Sequence, residues 1–218
     1  MYIFIVAENV KLSEIAQDIA KESGVELFYK ASDDPIIQRA EQQEQSRLAF
    51  LEKLCKDNFL ALKVSDGKLI IFDESELDKQ EPVLTLYRHQ DVINFQARYT
   101  IQDVYGRCDV VYRHNSKDEL LQGSFESGAS GKVLKVNKKV DDKAAAERLA
   151  RNSLRQKDKE QVKFSLTTTG NFALVAGNVV ALKNFGKFDF NYLIEKAVHT
   201  LGDSGYQTQV ELRRCLDY

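Results

Sequence analysis

The sequence has no tryptophan, only two prolines, three histidines and three cysteines. Each scarcity removes a class of chemistry. Cys55, Cys108 and Cys215 are odd in number, far apart and without metal or redox spacing. They imply no disulfide framework and fit a chain folded in a reducing cytosol. His89, His114 and His199 never fall at i, i+4 on a helix, so a zinc site has no ligand set. Without tryptophan, stacking on bases or sugars would rest on nine tyrosines, most of them in strand-like segments. No run approaches the roughly 18 consecutive apolar residues that cross a bilayer. Met1 to Val6 is apolar, but Glu8 follows, with no basic start or small-residue cleavage site, so it does not read as a secretory signal.

An excess of one charge is also missing. Thirty-one basic and 33 acidic residues leave a formal charge of −2. That balance excludes a general nucleic-acid binder, which carries a basic surplus. Lys132, Lys135, Lys138 and Lys139 read as a solvated strand face. Neither a nucleic-acid nor a membrane partner is expected.

No catalytic constellation stands out. There is no G-x-S-x-G elbow, P-loop or dinucleotide fingerprint. Asp33-Asp34 and Asp141-Asp142 are adjacent acids, which point opposite ways on a strand and suit turns and helix starts better. His199 reads as a strand-end histidine bonded to backbone, and Gly170-Asn171 and Gly177-Asn178 as turns. The expectation is a chain that is not an enzyme, with no catalytic, cofactor-binding or metal residues and no cofactor.

What is present is a core and two textures. Apolar residues make up 43% of 218, enough for one large domain or two small ones. The acidic stretch Asp73 to Glu81, closed by Pro82, marks a boundary between residues 1–80 and 83–218. The first part reads as a small helix-plus-hairpin α+β domain. Tyr2 to Val6 suits a strand, and Leu12, Ile15, Ala16, Ile19 and Ala20 form one helical stripe before a Gly24 cap. A strand at Val25 to Tyr29 follows. Leu48, Leu51, Leu54 and Cys55, flanked by Phe50, give a second helix that Asn58 stops. Leu60, Leu62 and Val64, then Asp66-Gly67, then Leu69 and Ile71 predict a tight hairpin.

The second part alternates with period two. Ile93, Phe95, Ala97, Tyr99 and Ile101 share one face; so do Cys108, Val110 and Tyr112, and Val162, Phe164 and Leu166. Phe190, Tyr192, Ile194 and Val198, and Tyr206, Thr208, Val210 and Leu212, repeat the pattern. Consecutive alternating strands predict an antiparallel β-barrel. A helix at about 142–156, with Ala146, Leu149, Ala150 and Leu154 on one side, flanks it, and the Gly-containing stretch 115–131 is a loop or hairpin excursion.

Several blocks resemble the late control D family of contractile-tail baseplate hubs, which is related to the hub portion of type VI secretion spike proteins. They are, in order, Leu12-Ser-Glu-Ile-Ala16, Arg47-Leu-Ala-Phe-Leu-Glu-Lys-Leu54 and the Asp66-Gly67 hairpin. Then come Gly170 to Leu182, Tyr192 to His199 and Gly205-Tyr-Gln-Thr-Gln-Val-Glu-Leu212. The chain departs at Asp189-Phe190-Asn191, where members commonly carry a glycine. Members usually have another barrel ahead of the helical unit, and this chain starts where that barrel would end. The resemblance implies a structural part of a phage or prophage tail, assembled in the bacterial cytoplasm and located in the virion baseplate. There it would form a homotrimer contacting tail tube and spike. The stretch 115–131 and the exposed faces of 91–101 and 206–214 are the expected contacts. The competing readings are a peptide- or glycan-binding barrel and a tail-associated cell-wall hydrolase.

Overall fold

A computed structural model of the chain describes residues 6–42, 45–102, 104–114, 119–138, 140, 142–203 and 205–218. It separates into two compact units, Met1–Glu76 and Leu77–Tyr218, divided within the one-turn helix α3 (Ser75–Asp78). In the first, β1 (Val6–Lys11) pairs antiparallel with β3 (Ile36–Glu41). Helices α1 (Leu12–Ser23) and α2 (Arg47–Asp57) accompany a sheet of β2 (Glu26–Tyr29), β5 (Lys68–Asp73) and β4 (Leu60–Ser65), in that order. All five residues of the predicted α1 stripe are buried, and Gly24 ends the helix at φ +67°. Ser46 caps α2 by accepting from the Ala49 amide at 3.2 Å. The buried face of α2 is Phe50, Leu51, Leu54 and Cys55, while Leu48 stays exposed. Asp66 and Gly67 both take positive φ, as their two-residue hairpin demands. The strand expected at Tyr2 to Val6 lies, apart from Val6, outside the described residues.

The second unit corrects the expected antiparallel barrel. Its strands are β6 (Leu84–Tyr87), β7 (Val92–Tyr99), β8 (Tyr105–His114), β9 (Glu119–Glu126), β10 (Lys132–Val136), β11 (Val162–Thr169), β12 (Val179–Lys183), β13 (Asn191–Gly202) and β14 (Gly205–Arg214). They form two open sheets, β6-β12-β13-β14-β11-β7 and β10-β8-β9. Both are mixed, because β6 runs parallel to β12 and β10 parallel to β8. Alternation reveals that a strand has one wet face, but not its neighbour or direction. Hence Cys108 and Val110, expected in the barrel, are buried in the smaller sheet under α4 (Lys143–Asp158), against Ala146, Ala150 and Leu154.

The larger sheet cannot be flat. Its edge strands β6 and β7 are joined by residues 88–91 alone. Those residues reach at most about 18 Å, whereas six flat strands would hold the edges about 24 Å apart. Followed through the ladders, Tyr87 stands level with the Tyr99 end of β7, yet the linker joins it to Val92 at the other end. The sheet therefore coils with a steep stagger. Its concave side holds Leu86, Phe164, Leu166, Tyr192, Ile194, Val210 and Leu212. No ladder joins β6 to β7. Instead, aromatic residues beside a 3-10 turn (Gly186–Phe188) pack against the β7 edge, with Phe185 5.2 Å from Phe95 and Phe188 6.3 Å from Tyr99.

Two register shifts explain where parity misleads. One lies between Thr167 and Thr168 opposite β7, and Ile93 is exposed although Phe95 and Ala97 face the core. Another, between Ile194 and Lys196, turns Ala197 inward and leaves Val198 exposed. A bulge reverses the faces of every residue beyond it.

Tyr192 gives a pH test of this core. Its hydroxyl donates to the Phe188 carbonyl at 3.0 Å, and burial pushes its pKa from 10.0 up to about 12. A raised folded-state value stabilises fully below pH 10 and is lost as pH rises through 12. At most, roughly 2–3 kcal/mol is at stake. Tyr192→Phe should lower stability by about 1 kcal/mol at pH 7 and flatten the decline between pH 10 and 12 in urea titrations.

Candidate interaction surface

Among the described residues, those that could carry chemistry are not brought together. His89 is exposed in the 88–91 turn, His114 ends β8 and His199 lies on β13. Among the described residues, no group of three His, Cys, Asp or Glu side chains could hold a metal. The three cysteines are free and buried. Burial pushes the thiols of Cys55 and Cys215 up to about 12 and that of Cys108 to about 11, which keeps them protonated at neutral pH. Asp34 accepts from the Ser13 amide at 3.0 Å and its hydroxyl at 2.7 Å, holding the start of α1. Asp142 caps α4 through the Ala145 amide at 2.6 Å. Asp141 and Lys139 lie outside the described residues, and Lys132, Lys135 and Lys138 are exposed on and beside β10.

The most ordered surface feature is an aromatic cluster where the β13–β14 hairpin projects beyond the core. A carbonyl can only accept, so the 3.0 Å contact from His199 Nε2 to the Leu174 oxygen places the ring proton on Nε2. Nδ1 is then the acceptor for the Tyr206 hydroxyl at 2.8 Å and Thr208 Oγ1 at 3.2 Å. Thr208 Oγ1 in turn accepts from the Asn171 amide at 3.1 Å. These bonds fix the 170–178 loop to the hairpin. Phe172 lies over the result, its ring 4.9 Å from Tyr206, and remains 83% exposed. Leu201, the cross-strand partner of Tyr206, is equally exposed. Two large apolar side chains are thus exposed to water beside a fixed ring. Taking Gly170-Asn171 and Gly177-Asn178 as turns leaves Phe172 out; its signal in the sequence is an aromatic residue directly after Gly170-Asn171.

The convex face of the larger sheet is charged. Lys163 Nζ lies 2.8 Å from Glu195 and 3.1 Å from Glu160, and Lys196 Nζ lies 3.4 Å from Glu211. A hollow between these pairs is lined by Gln96, Arg98, Ser165 and Glu211. Exposed pairs of this kind are each worth about 0–1 kcal/mol. They favour a hydrated contact over a dry one.

The expected contact segments divide unequally. The 91–101 stretch holds β7, an edge strand paired, among the described residues, with β11 alone, so one row of its backbone groups has no ladder partner there. The 206–214 stretch is β14, flanked by β13 and β11, so it offers only a face. Within 115–131, residues 115–118 lie outside the described residues and 119–126 form β9, one edge of the smaller sheet.

The sequence pattern of a family described as YQBQ-like matches residues 3–213. The chain belongs to this family. No curated relative matches the sequence. The YQBQ-like chain resembles the 43 kDa tail protein of prophage MuSo2 from Shewanella oneidensis, at TM-score 0.71 and 15% identity. The alignment covers 97% of this chain and 69% of that one. A tail protein from Neisseria meningitidis MC58 is similar at TM-score 0.70 and 15% identity over 96% of this chain and 68% of its own. The c3393 protein of E. coli is described as a type VI secretion component with structural similarity to the T4 tail proteins gp27 and gp5. It aligns at TM-score 0.64 and 13% identity over 98% of this chain, which spans about half of it (51%). The YQBQ-like chain thus shares the fold of phage-tail and secretion-spike-related proteins.

Gly170 tests whether the aromatic cluster is built as described. A Cβ there would lie 1.8 Å from the Tyr206 ring, closer than any packing tolerates. Gly170→Ala should cost about 1–3 kcal/mol, read as a lowered urea midpoint with an unchanged slope. An equal midpoint would mean that Tyr206 is not seated over Gly170.

Proposed function

We propose that this YQBQ-like protein is a structural component of a contractile phage or prophage tail, a baseplate hub allied to the late control D proteins that connects tail tube to spike. In this reading it is not an enzyme and needs no cofactor. It assembles in the bacterial cytoplasm, works in the baseplate, and forms a homotrimer whose partners are tube and spike proteins. The observation that carries the proposal is the fold match to two tail proteins over 96–97% of the chain. The surfaces are consistent with such a part. Open strand edges, a charged convex face and an exposed aromatic cluster serve contact, and contact needs shape and buried area rather than tuned pKa values.

A peptide- or glycan-binding protein is the second reading, and the Phe172–Tyr206–Leu201 cluster is the feature that favours it. Molar mass by light scattering across a concentration series separates the two. The hub proposal expects a stable species of three times the 24.8 kDa chain mass. A 24.8 kDa species at every concentration would count against self-assembly and turn attention to the aromatic cluster as a ligand site.

A further inference from the structure

Within the second unit, β8, β9, β10 and α4 form an insertion with one doorway. The chain leaves the larger sheet after Tyr99 and returns at Val162, and these two residues are register partners. One step beyond them, the Thr100 amide donates to the Gln161 carbonyl at 2.9 Å. The insertion has its own sheet and its own buried cluster, built on Cys108, Val110, Ala146, Ala150 and Leu154. None of these residues belongs to the core of the larger sheet. Its internal packing is close: a Cβ on Gly123 of β9 would meet the Ala146 backbone of α4 at 2.5 Å. The larger sheet and the insertion are therefore two layers, each with its own apolar core.

A charged cluster ties them together. Asp78, two residues past the boundary between the units, has a fully buried carboxylate. One oxygen bonds Arg155 of α4, and the other lies 2.5 Å from Arg213 Nη1 of β14. The two guanidinium side chains are 5% and 1% exposed. Beside this cluster, the Tyr218 hydroxyl donates to Asp158 at the end of α4. The Tyr218 ring stacks on Phe125 of β9 at 5.3 Å and takes the Arg155 guanidinium over its face at 5.6 Å. Both ties come from outside the insertion in sequence, one from residue 78 and one from residue 218.

We propose that the β8–β9–β10–α4 layer is a lobe that opens as a unit, independently of the larger sheet, and that Asp78, aided by Tyr218, is the latch that holds it closed. The lobe and the larger sheet have separate apolar cores, and a small third cluster of Val179, Leu193 and Cys215 packs with Leu77, so opening the lobe leaves the larger core intact. Opening breaks the ion cluster and the Tyr218 contacts. A neutral substitute for this buried carboxylate is costly, because Arg155 loses the acid it pairs with and Arg213 is left with the more distant Glu195 at 3.8 Å. A cooperative unit attached through few bonds at one doorway exchanges its amides as a block.

Hydrogen exchange on the full chain, followed by mass spectrometry, tests this directly. In the unaltered protein, peptides from α4 and β8–β10 should exchange together and at least tenfold faster than those from β11, β13 and β14. Asp78→Asn should speed the lobe a further tenfold or more while leaving the three strands within twofold. Tyr218→Phe, which removes one hydroxyl and leaves the ring packed, should speed the lobe about threefold and covers the case in which Asp78→Asn does not fold. Lobe and strands exchanging at one common rate in the unaltered protein would overturn the proposal. So would a substitution at Asp78 or Tyr218 that accelerates both layers equally or neither.

Discussion

The second unit depends on one constraint: a six-stranded sheet whose two edges are tied by residues 88–91. That tie makes a flat sheet impossible and sets the stagger, because Tyr87 must meet Val92 across the length of a strand. The coil creates a concave side that Phe164, Tyr192, Ile194, Val210 and Leu212 fill. It also leaves an edge where β6 and β7 share no ladder, against which Phe185 and Phe188 pack. A closed barrel would have removed the edges altogether; here aromatic packing takes the place of hydrogen bonds along one seam.

The surfaces that matter for contact follow from the same geometry. Coiling pushes the polar residues of alternate parity onto a convex face, where Lys163, Glu195, Lys196 and Glu211 pair in water. The β13–β14 hairpin outruns its neighbours, and its end, held by His199 and capped by Phe172, stands clear of the core. The β7–β11 pairing supplies the doorway from which the α4 layer departs. Core, convex face, hairpin end and lobe are thus four consequences of how one sheet is wound.

Much of this was legible in the residues. The α1 stripe, the Gly24 cap, the Asp66-Gly67 hairpin and the α4 start at Asp142 are local, and local chemistry decides them. The strand faces were legible wherever no bulge intervened, as at Tyr206, Thr208, Val210 and Leu212. They failed beyond the shifts near Thr167 and Ile194, since alternation carries no mark of an extra residue. Strand order and direction were not legible, so two mixed, open sheets read as one antiparallel barrel. The Asp78–Arg155–Arg213 cluster was hidden because its members lie up to 135 residues apart in sequence.

Cryo-electron microscopy of intact particles from the element that encodes the chain tests its role as a tail component most directly. The account predicts this fold in three copies around the tail axis at the spike-proximal end, touching both tube and spike. Particles complete without it, or carrying it only along the shaft, would contradict that role.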